Sequence, residues 1–93
     1  AWAEAIEEFE DEATVVAAMR TLAAQCAKPS AEIGEELASL PTALIWREAK
    51  VALLLEADPS YAEAEADLVR GGWTIVHPEG LTPDAIPQAL LGN

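Results

Sequence analysis

The chain has 93 residues, of which 17 are acidic and five are basic, so its formal net charge is −12 at neutral pH. Apolar residues make up 52% of the chain, which indicates one small folded domain and not a disordered acidic tail. The charge argues against direct nucleic acid binding because phosphates repel an acidic surface, and apolar runs of at most five residues exclude a transmembrane helix.

Cys26 is the single cysteine, so neither an internal disulfide nor a cysteine metal cluster is possible. Its place on an apolar helical stripe predicts a buried, inert side chain, and a lone thiol indicates a cytoplasmic protein. The chain opens at Ala1 within a helical pattern, so we expect residues 1–93 to be a single domain of a longer protein.

Residues 2–27 have a helical pattern, with apolar side chains every three or four positions. Acids crowd its N-terminal end, which suits the helix dipole, and Pro29 ends it. β-branched residues at positions 14–16 weaken the middle. One long helix and two short helices split near Asp11 both remain open.

Residues 30–40 are ambiguous between helix and strand. Local propensity favours a helix capped by Ser30, although Gly34 in its interior weakens that interpretation. The alternative is a short strand over residues 33–38 that turns at 39–41 into the next strand.

Two strands are predicted next, over residues 42–46 and 51–55. The second is apolar at every position without alternation, which indicates a central strand buried on both faces. Ser60 and Glu63 form a capping box that predicts a helix through Arg70. Glycines at 71 and 72 end this helix, and residues 73–76 form a strand parallel to the central one.

A final helix is predicted after Gly80, with Asp84 as its N-cap and Pro87 in its first turn, where a proline is tolerated. The chain is therefore predicted to be a small α/β domain, with α+β as the alternative. It has an N-terminal helix or helices, a three- or four-stranded mixed sheet, one βαβ crossover and a C-terminal helix.

Two groups of charged residues flank the central strand: Glu48 and Lys50 precede it, and Glu56 and Asp58 follow it. An E-x-K step with a second acid is the residue set of a metal-dependent nuclease, in which carboxylates hold Mg²⁺ and the lysine stabilises developing charge. The two groups lie about 20 Å apart at the rise of a strand and cannot share one ion. We therefore expect no catalytic, metal or cofactor site.

Glu56 and Asp58 do lie at the carboxyl end of a central strand, where open α/β sheets bind ligands. A turn followed by a helix cap explains them more simply. His77 is the only histidine, and it acts as an acid or base only with a partner that the fold provides.

The acidic N-terminal segment is the candidate partner surface, and its residues are Trp2, Glu4, Glu7, Glu8, Glu10, Asp11 and Glu12. A solvated helix face explains the acids without a function. The functional explanations are that these acids dock on a basic partner or mimic nucleic acid. Trp2 marks the point where the domain would meet the rest of a parent chain.

Residues 72–76 (GWTIV) resemble the Gly-Trp-strand step of restriction-endonuclease-like domains of the very-short-patch-repair type, and residues 81–91 resemble their closing segment. The segment upstream is similar to the tail domains of some bacterial superfamily-two helicase-like proteins. The similar positions are Pro29, Ile33-Gly34, Glu36-Leu37, residues 43–46 and Lys50-Val51-Ala52. The resemblance implies a strand over residues 33–38. It also implies a lost active site, because residues 51–55 stand where an acid and the E-x-K step are expected.

The expected function is that of a non-catalytic accessory or protein-interaction domain with a degenerate nuclease-like fold, within a DNA-processing, helicase-like protein. The alternative is an acidic stand-alone binding protein or nucleic acid mimic that occupies a basic surface, and a metal-dependent nuclease is third. The expected partner is another protein or the remainder of a longer chain.

Overall fold

Two N-terminal helices, a five-stranded mixed sheet and a crossover helix make up the fold, which confirms the predicted α/β class. The computed structural model describes residues 2–25, 27–30 and 32–91. Cys26, predicted to be buried, lies outside the described residues. The elements in chain order are α1 (Trp2–Glu8), α2 (Ala13–Ala24), β1 (Glu32–Ile33), β2 (Glu36–Leu37), β3 (Leu40–Trp46), β4 (Val51–Leu54), α3 (Ala62–Arg70) and β5 (Thr74–Val76). Among the described residues, no helix has the length and apolar character needed to cross a bilayer.

The N-terminal pattern folds as two helices that break at residues 9–12. In one continuous helix the acids at 10–12 would lie in the middle of the helix. The break places them instead at the N-terminal end of α2, where the helix dipole favours negative charge. The break also resets the helical phase. The side chains that α2 buries are Val15, Ala18, Met19 and Leu22.

β4 lies between β3 and β5, as its apolar run predicts. It pairs antiparallel with β3, where Leu44 lies opposite Leu53, and parallel with β5, where Ala52 lies opposite Ile75. All four β4 side chains are at most 1% exposed. β3 also pairs antiparallel with β1 and β2, two short strands that lie along its other edge, so the sheet has five strands and not three or four.

The helix that local propensity favours over residues 30–40 is wrong, because the segment is extended; it forms two short strands, β1 and β2, where the alternative predicts one strand over residues 33–38. Gly34 between them has a φ of +73°, which no helix accommodates. The hairpin turn is Ala38 and Ser39, with φ of +50° and +75°, and it brings Leu37 opposite Leu40. Two left-handed residues in a two-residue loop match the twist of the paired strands.

The crossover from β4 to β5 runs through α3, and its start differs from the predicted capping box. The Asp58 side chain, not Ser60, caps the segment, since its Oδ1 accepts a hydrogen bond from Ser60 N at 2.9 Å. A single 3₁₀ turn, Pro59–Tyr61, then leads into α3. At the other end Gly72 adopts a φ of +96° and turns the chain into β5, as the glycine pair predicts.

The predicted C-terminal helix is wrong, because the segment forms only two 3₁₀ turns, Pro83–Ala85 and Gln88–Leu90. Pro87 separates them: the proline ring forces the preceding Ile86 into an extended conformation with ψ of 126°, and a helix cannot pass through it. The segment still packs inward, with Leu90 only 1% exposed.

The sheet has an apolar layer on each face. One layer holds most of the core and packs against the N-terminal helices and the C-terminal turns, with Val15, Met19, Leu22, Leu44, Trp46, Val51, Leu53, Ile86 and Leu90 among its members. The smaller layer packs against α3 and consists of Leu37, Ile45 and Ala52, with Leu68, Trp73 and Ile75 at its margin. Successive β4 residues serve opposite layers, which explains why this strand carries no polar side chain.

Candidate functional site

Glu48 and Lys50 lie in the tight turn between β3 and β4, at the amino end of the central strand. Lys50 donates a hydrogen bond from Nζ to the Gly71 carbonyl oxygen at 3.1 Å. The lysine therefore fastens this turn to the glycine turn before β5, and Glu48 is exposed to solvent. Both residues lie at the end of β4 opposite to Glu56 and Asp58.

The carboxyl ends of β4 and β5 lie side by side because the two strands are parallel, and a cavity of about 300 Å³ opens there. It is lined by Leu54, Ala57, Asp58, Pro59, Tyr61, Ala62, Glu65 and His77. Glu56 reaches its rim through Tyr61, whose Oη donates a hydrogen bond to Glu56 Oε2 at 2.8 Å. The fold thus brings Glu56 and Asp58 to one edge of the sheet.

His77 has the fold-provided partner that its chemistry requires. Its Nε2 lies 3.1 Å from Glu65 Oε1, and the two side chains are 49% and 27% exposed. Glu65 is not among the residues that the sequence pattern singles out, so this pair was missed. The signal was present, since Glu65 lies one helical turn after Tyr61 and three residues before Leu68, which packs against the smaller layer.

Two groups at this cavity have shifted pKa values. The backbone amide of Ser60, and then its side chain, hydrogen-bond the Asp58 carboxylate and lower its pKa below the usual value. The hydrogen bond to Glu56 raises the pKa of the Tyr61 phenol, with smaller contributions from burial and from the charges of Glu56 and Asp58. The cavity thus holds an ionised Asp58 beside a neutral Tyr61 at physiological pH.

A carboxylate that orients an imidazole is an arrangement that general base catalysis uses. The residues that line this cavity include no serine, threonine or cysteine that His77 could activate. Among the described residues, no three histidine, cysteine, aspartate or glutamate side chains converge into a set that could hold a metal ion. The geometry therefore supplies a polar pair, Glu65 and His77, at this edge of the sheet.

The acids of the predicted partner surface, Glu4, Glu7, Glu8, Glu10, Asp11 and Glu12, are all exposed to solvent. They lie on α1 and on the turn between α1 and α2. Trp2 differs from them: it is half-buried and donates a hydrogen bond from Nε1 to the Ala27 carbonyl oxygen at 3.1 Å. Its ring packs against Trp46, with ring centroids 6.5 Å apart and a tilt of 49°. Trp2 thus fastens α1 to the sheet.

No protein-family model, curated protein or solved structure matches this chain. The resemblance to restriction-endonuclease-like domains accordingly remains a prediction. What the molecule does must be inferred from its own residues: an apolar central strand, a polar pair at the sheet edge, and an acidic N-terminal end.

Proposed function

We propose that the chain is a non-catalytic protein-interaction domain, an accessory part of a larger DNA-processing protein of the helicase-like kind. The observation that carries the proposal is the composition and burial of β4. In the nuclease-like fold that the sequence resembles, the central strand is expected to present an acid and an E-x-K step. Here the four β4 side chains, Val51–Leu54, are apolar and at most 1% exposed, so the strand serves packing alone.

The strands at Glu32–Ile33 and Glu36–Leu37 give further support. Local propensity favours a helix there, and the resemblance implies a strand. The Gly72-Trp73 step into β5 also follows the crossover helix as the resemblance implies. These agreements favour a degenerate nuclease-like ancestry, and with it a parent protein that acts on DNA.

The second candidate function is an acidic stand-alone binding protein that occupies a basic surface or mimics nucleic acid. The solvent exposure of all six N-terminal acids favours it, because repulsion among exposed carboxylates destabilises a compact state unless a partner neutralises them. The third candidate, a metal-dependent nuclease, needs Glu48 and Lys50 beside Glu56 and Asp58, and these pairs lie at opposite ends of β4.

The reading frame that encodes the chain provides the first test. A helicase-like segment in the same frame supports the accessory-domain proposal, and a frame that encodes this domain alone favours the stand-alone binder. With a parent in hand, deletion of residues 1–93 is expected to preserve nucleotide hydrolysis and abolish association with a protein partner. If the deletion leaves that association intact, the domain is not the interaction module.

Calorimetry with Mg²⁺ or Mn²⁺ tests the nuclease. We expect no saturable heat with the isolated domain. Saturable binding that is lost in the Glu56→Gln and Asp58→Asn variants, together with cleavage of plasmid DNA, would establish the third candidate instead.

A further inference from the structure

A groove of about 450 Å³ lies between α1 and α2. One wall is formed by Ala3, Ile6 and Glu7 of α1 and by Glu10 of the turn that follows α1, and the other wall is formed by Val16 and Arg20 of α2. Ala3, Ile6 and Glu7 follow the three- and four-residue spacing of one helical face, and the α2 residues are one turn apart. The groove therefore lies between two helices, and the turn after α1 adds Glu10 to its rim.

The floor of the groove is apolar and partly open to solvent. Ile6 and Val16 are half-buried, and each belongs to a helix whose other face is in the core: Ala5 precedes Ile6 at 3% exposed, and Val15 precedes Val16 at 1%. The rims are charged and unequal, since Glu7 and Glu10 form one and Arg20 the other. Glu4, Glu8, Asp11 and Glu12, which are neighbours of these residues in the chain, are also exposed and add to the negative potential.

We propose that this groove docks a basic amphipathic helix of a protein partner. The inference rests on the proposed function, since it identifies the face through which the interaction domain binds. The aliphatic side of such a helix covers Ile6 and Val16, and its lysines or arginines face Glu7 and Glu10. This is the helix-in-groove mode of recognition, in which apolar anchors supply affinity and flanking charges supply orientation.

The two unequal rims fix the direction in which the occupant lies. Its cationic flank meets the rim formed by Glu7 and Glu10, and an acidic or polar flank meets Arg20, because a basic residue there would be repelled. Seven residues of α1 span about 10 Å, so the groove accommodates about two turns of helix. Such a contact is below the size of a stable interface, so a weak, rapidly exchanging and salt-sensitive interaction is expected.

The test uses a fluorescent helical peptide of about 16 residues, long enough to retain helicity, with leucines on one face and lysines along one flank. A second peptide with glutamine in place of every lysine is its control. On the protein, Glu7→Gln/Glu10→Gln is compared with Glu36→Gln/Glu79→Gln, which removes the same charge at exposed positions outside the groove. Circular dichroism verifies that both variants keep the fold.

At low ionic strength the groove variant is expected to bind the basic peptide about five- to tenfold more weakly than the wild type, as two partly screened ion pairs predict. The control variant should lose less than twofold. The neutral peptide should bind weakly to all three proteins. Amide chemical shifts should change at Ala3, Ile6 and Val16, the residues of the floor and its rim.

Equal weakening by both variants would mean that the peptide responds only to net charge, and the groove proposal would fall. Shift changes confined to α3 or the sheet edge would overturn it as well. Either result leaves the proposed function standing if deletion of the domain from its parent still abolishes partner association. If that association survives deletion, the proposed function fails whatever the peptide does.

Discussion

Trp46→Phe tests how the N-terminal helices are joined to the sheet. Trp46 ends β3, is only 8% exposed, and donates a hydrogen bond from Nε1 to the Lys28 carbonyl oxygen at 2.8 Å. The same short segment accepts the bond from Trp2 at Ala27, and Lys28 N donates to the Leu90 carbonyl oxygen at 2.8 Å. Residues 27–28 are thus a seam where α1, the sheet and the C-terminal turns meet.

The cost of this substitution has two parts. Loss of the indole N–H leaves the Lys28 carbonyl without that donor, at about 1–2 kcal/mol. The smaller ring leaves about 40 Å³ unfilled, which at about 24 cal/mol per Å³ adds about 1 kcal/mol. A destabilisation of about 2–3 kcal/mol is a large part of the roughly 5–14 kcal/mol expected for a domain of this length. It corresponds to a fall in Tm of about 10–20 °C.

Thermal and urea unfolding followed by circular dichroism measure this change. Trp73→Phe is the matched control, because Trp73 is half-buried at the margin of the smaller layer and its indole N–H can be hydrated. That variant should lose about 1 kcal/mol or less. If the two substitutions lower the free energy of unfolding equally, or if Trp46→Phe lowers it by less than about 0.5 kcal/mol, the contacts at residues 27–28 do not join the helices to the sheet.

Three further predictions concern the sheet and the cavity at its edge. Leu53→Ala should cost about 3 kcal/mol in urea unfolding because its fully buried side chain has no space to collapse into, whereas Val69→Ala, at 53% exposed, should change stability by less than about 0.5 kcal/mol. Tyr61 is the only tyrosine, so an ultraviolet titration reports its pKa directly: we expect a value above the ordinary one that Glu56→Gln moves back down. Because the folded-state pKa is raised, the stabilisation from this contact is complete below the unfolded-state pKa and is lost as pH rises through the folded-state pKa. A difference in unfolding free energy between wild type and Glu56→Gln that does not change across this pH range would refute the prediction. Ala38→Gly should increase the free energy of unfolding by about 0.5–1 kcal/mol and therefore raise Tm, because glycine adopts the left-handed conformation of this hairpin turn without strain. A fall in Tm would show that the turn is not as described.

The elements that the sequence predicts well are those whose signal is local and strong. Residues 51–55 are apolar without alternation, and only burial on both faces accommodates such a strand, so its central place follows from its composition. The glycine pair likewise predicts the end of α3, since Gly72 needs a positive φ.

Predictions fail where distant pairing overrides local propensity. Three of residues 32–37 are glutamates, which favour a helix, yet the segment is extended because it pairs with the edge of β3. No pattern within the segment itself indicates that pairing. The site shows the same limit. Glu65 and His77 are twelve positions apart, and their contact depends on the rotation of a nine-residue helix, which a short amphipathic pattern does not determine.

Trp2 connects the predicted partner surface to the core, which its position at the start of the chain does not indicate. Seven residues are too few for an isolated helix to be stable in water, so α1 depends on tertiary contacts for its existence. Those contacts are Ala5 in the core, Trp2 against Trp46, and the indole bond to Ala27. Like charges at neighbouring positions act against the same helix. A partner that places cations against this face therefore removes a repulsion that the fold alone must otherwise overcome, so binding in the groove and the stability of α1 are thermodynamically linked.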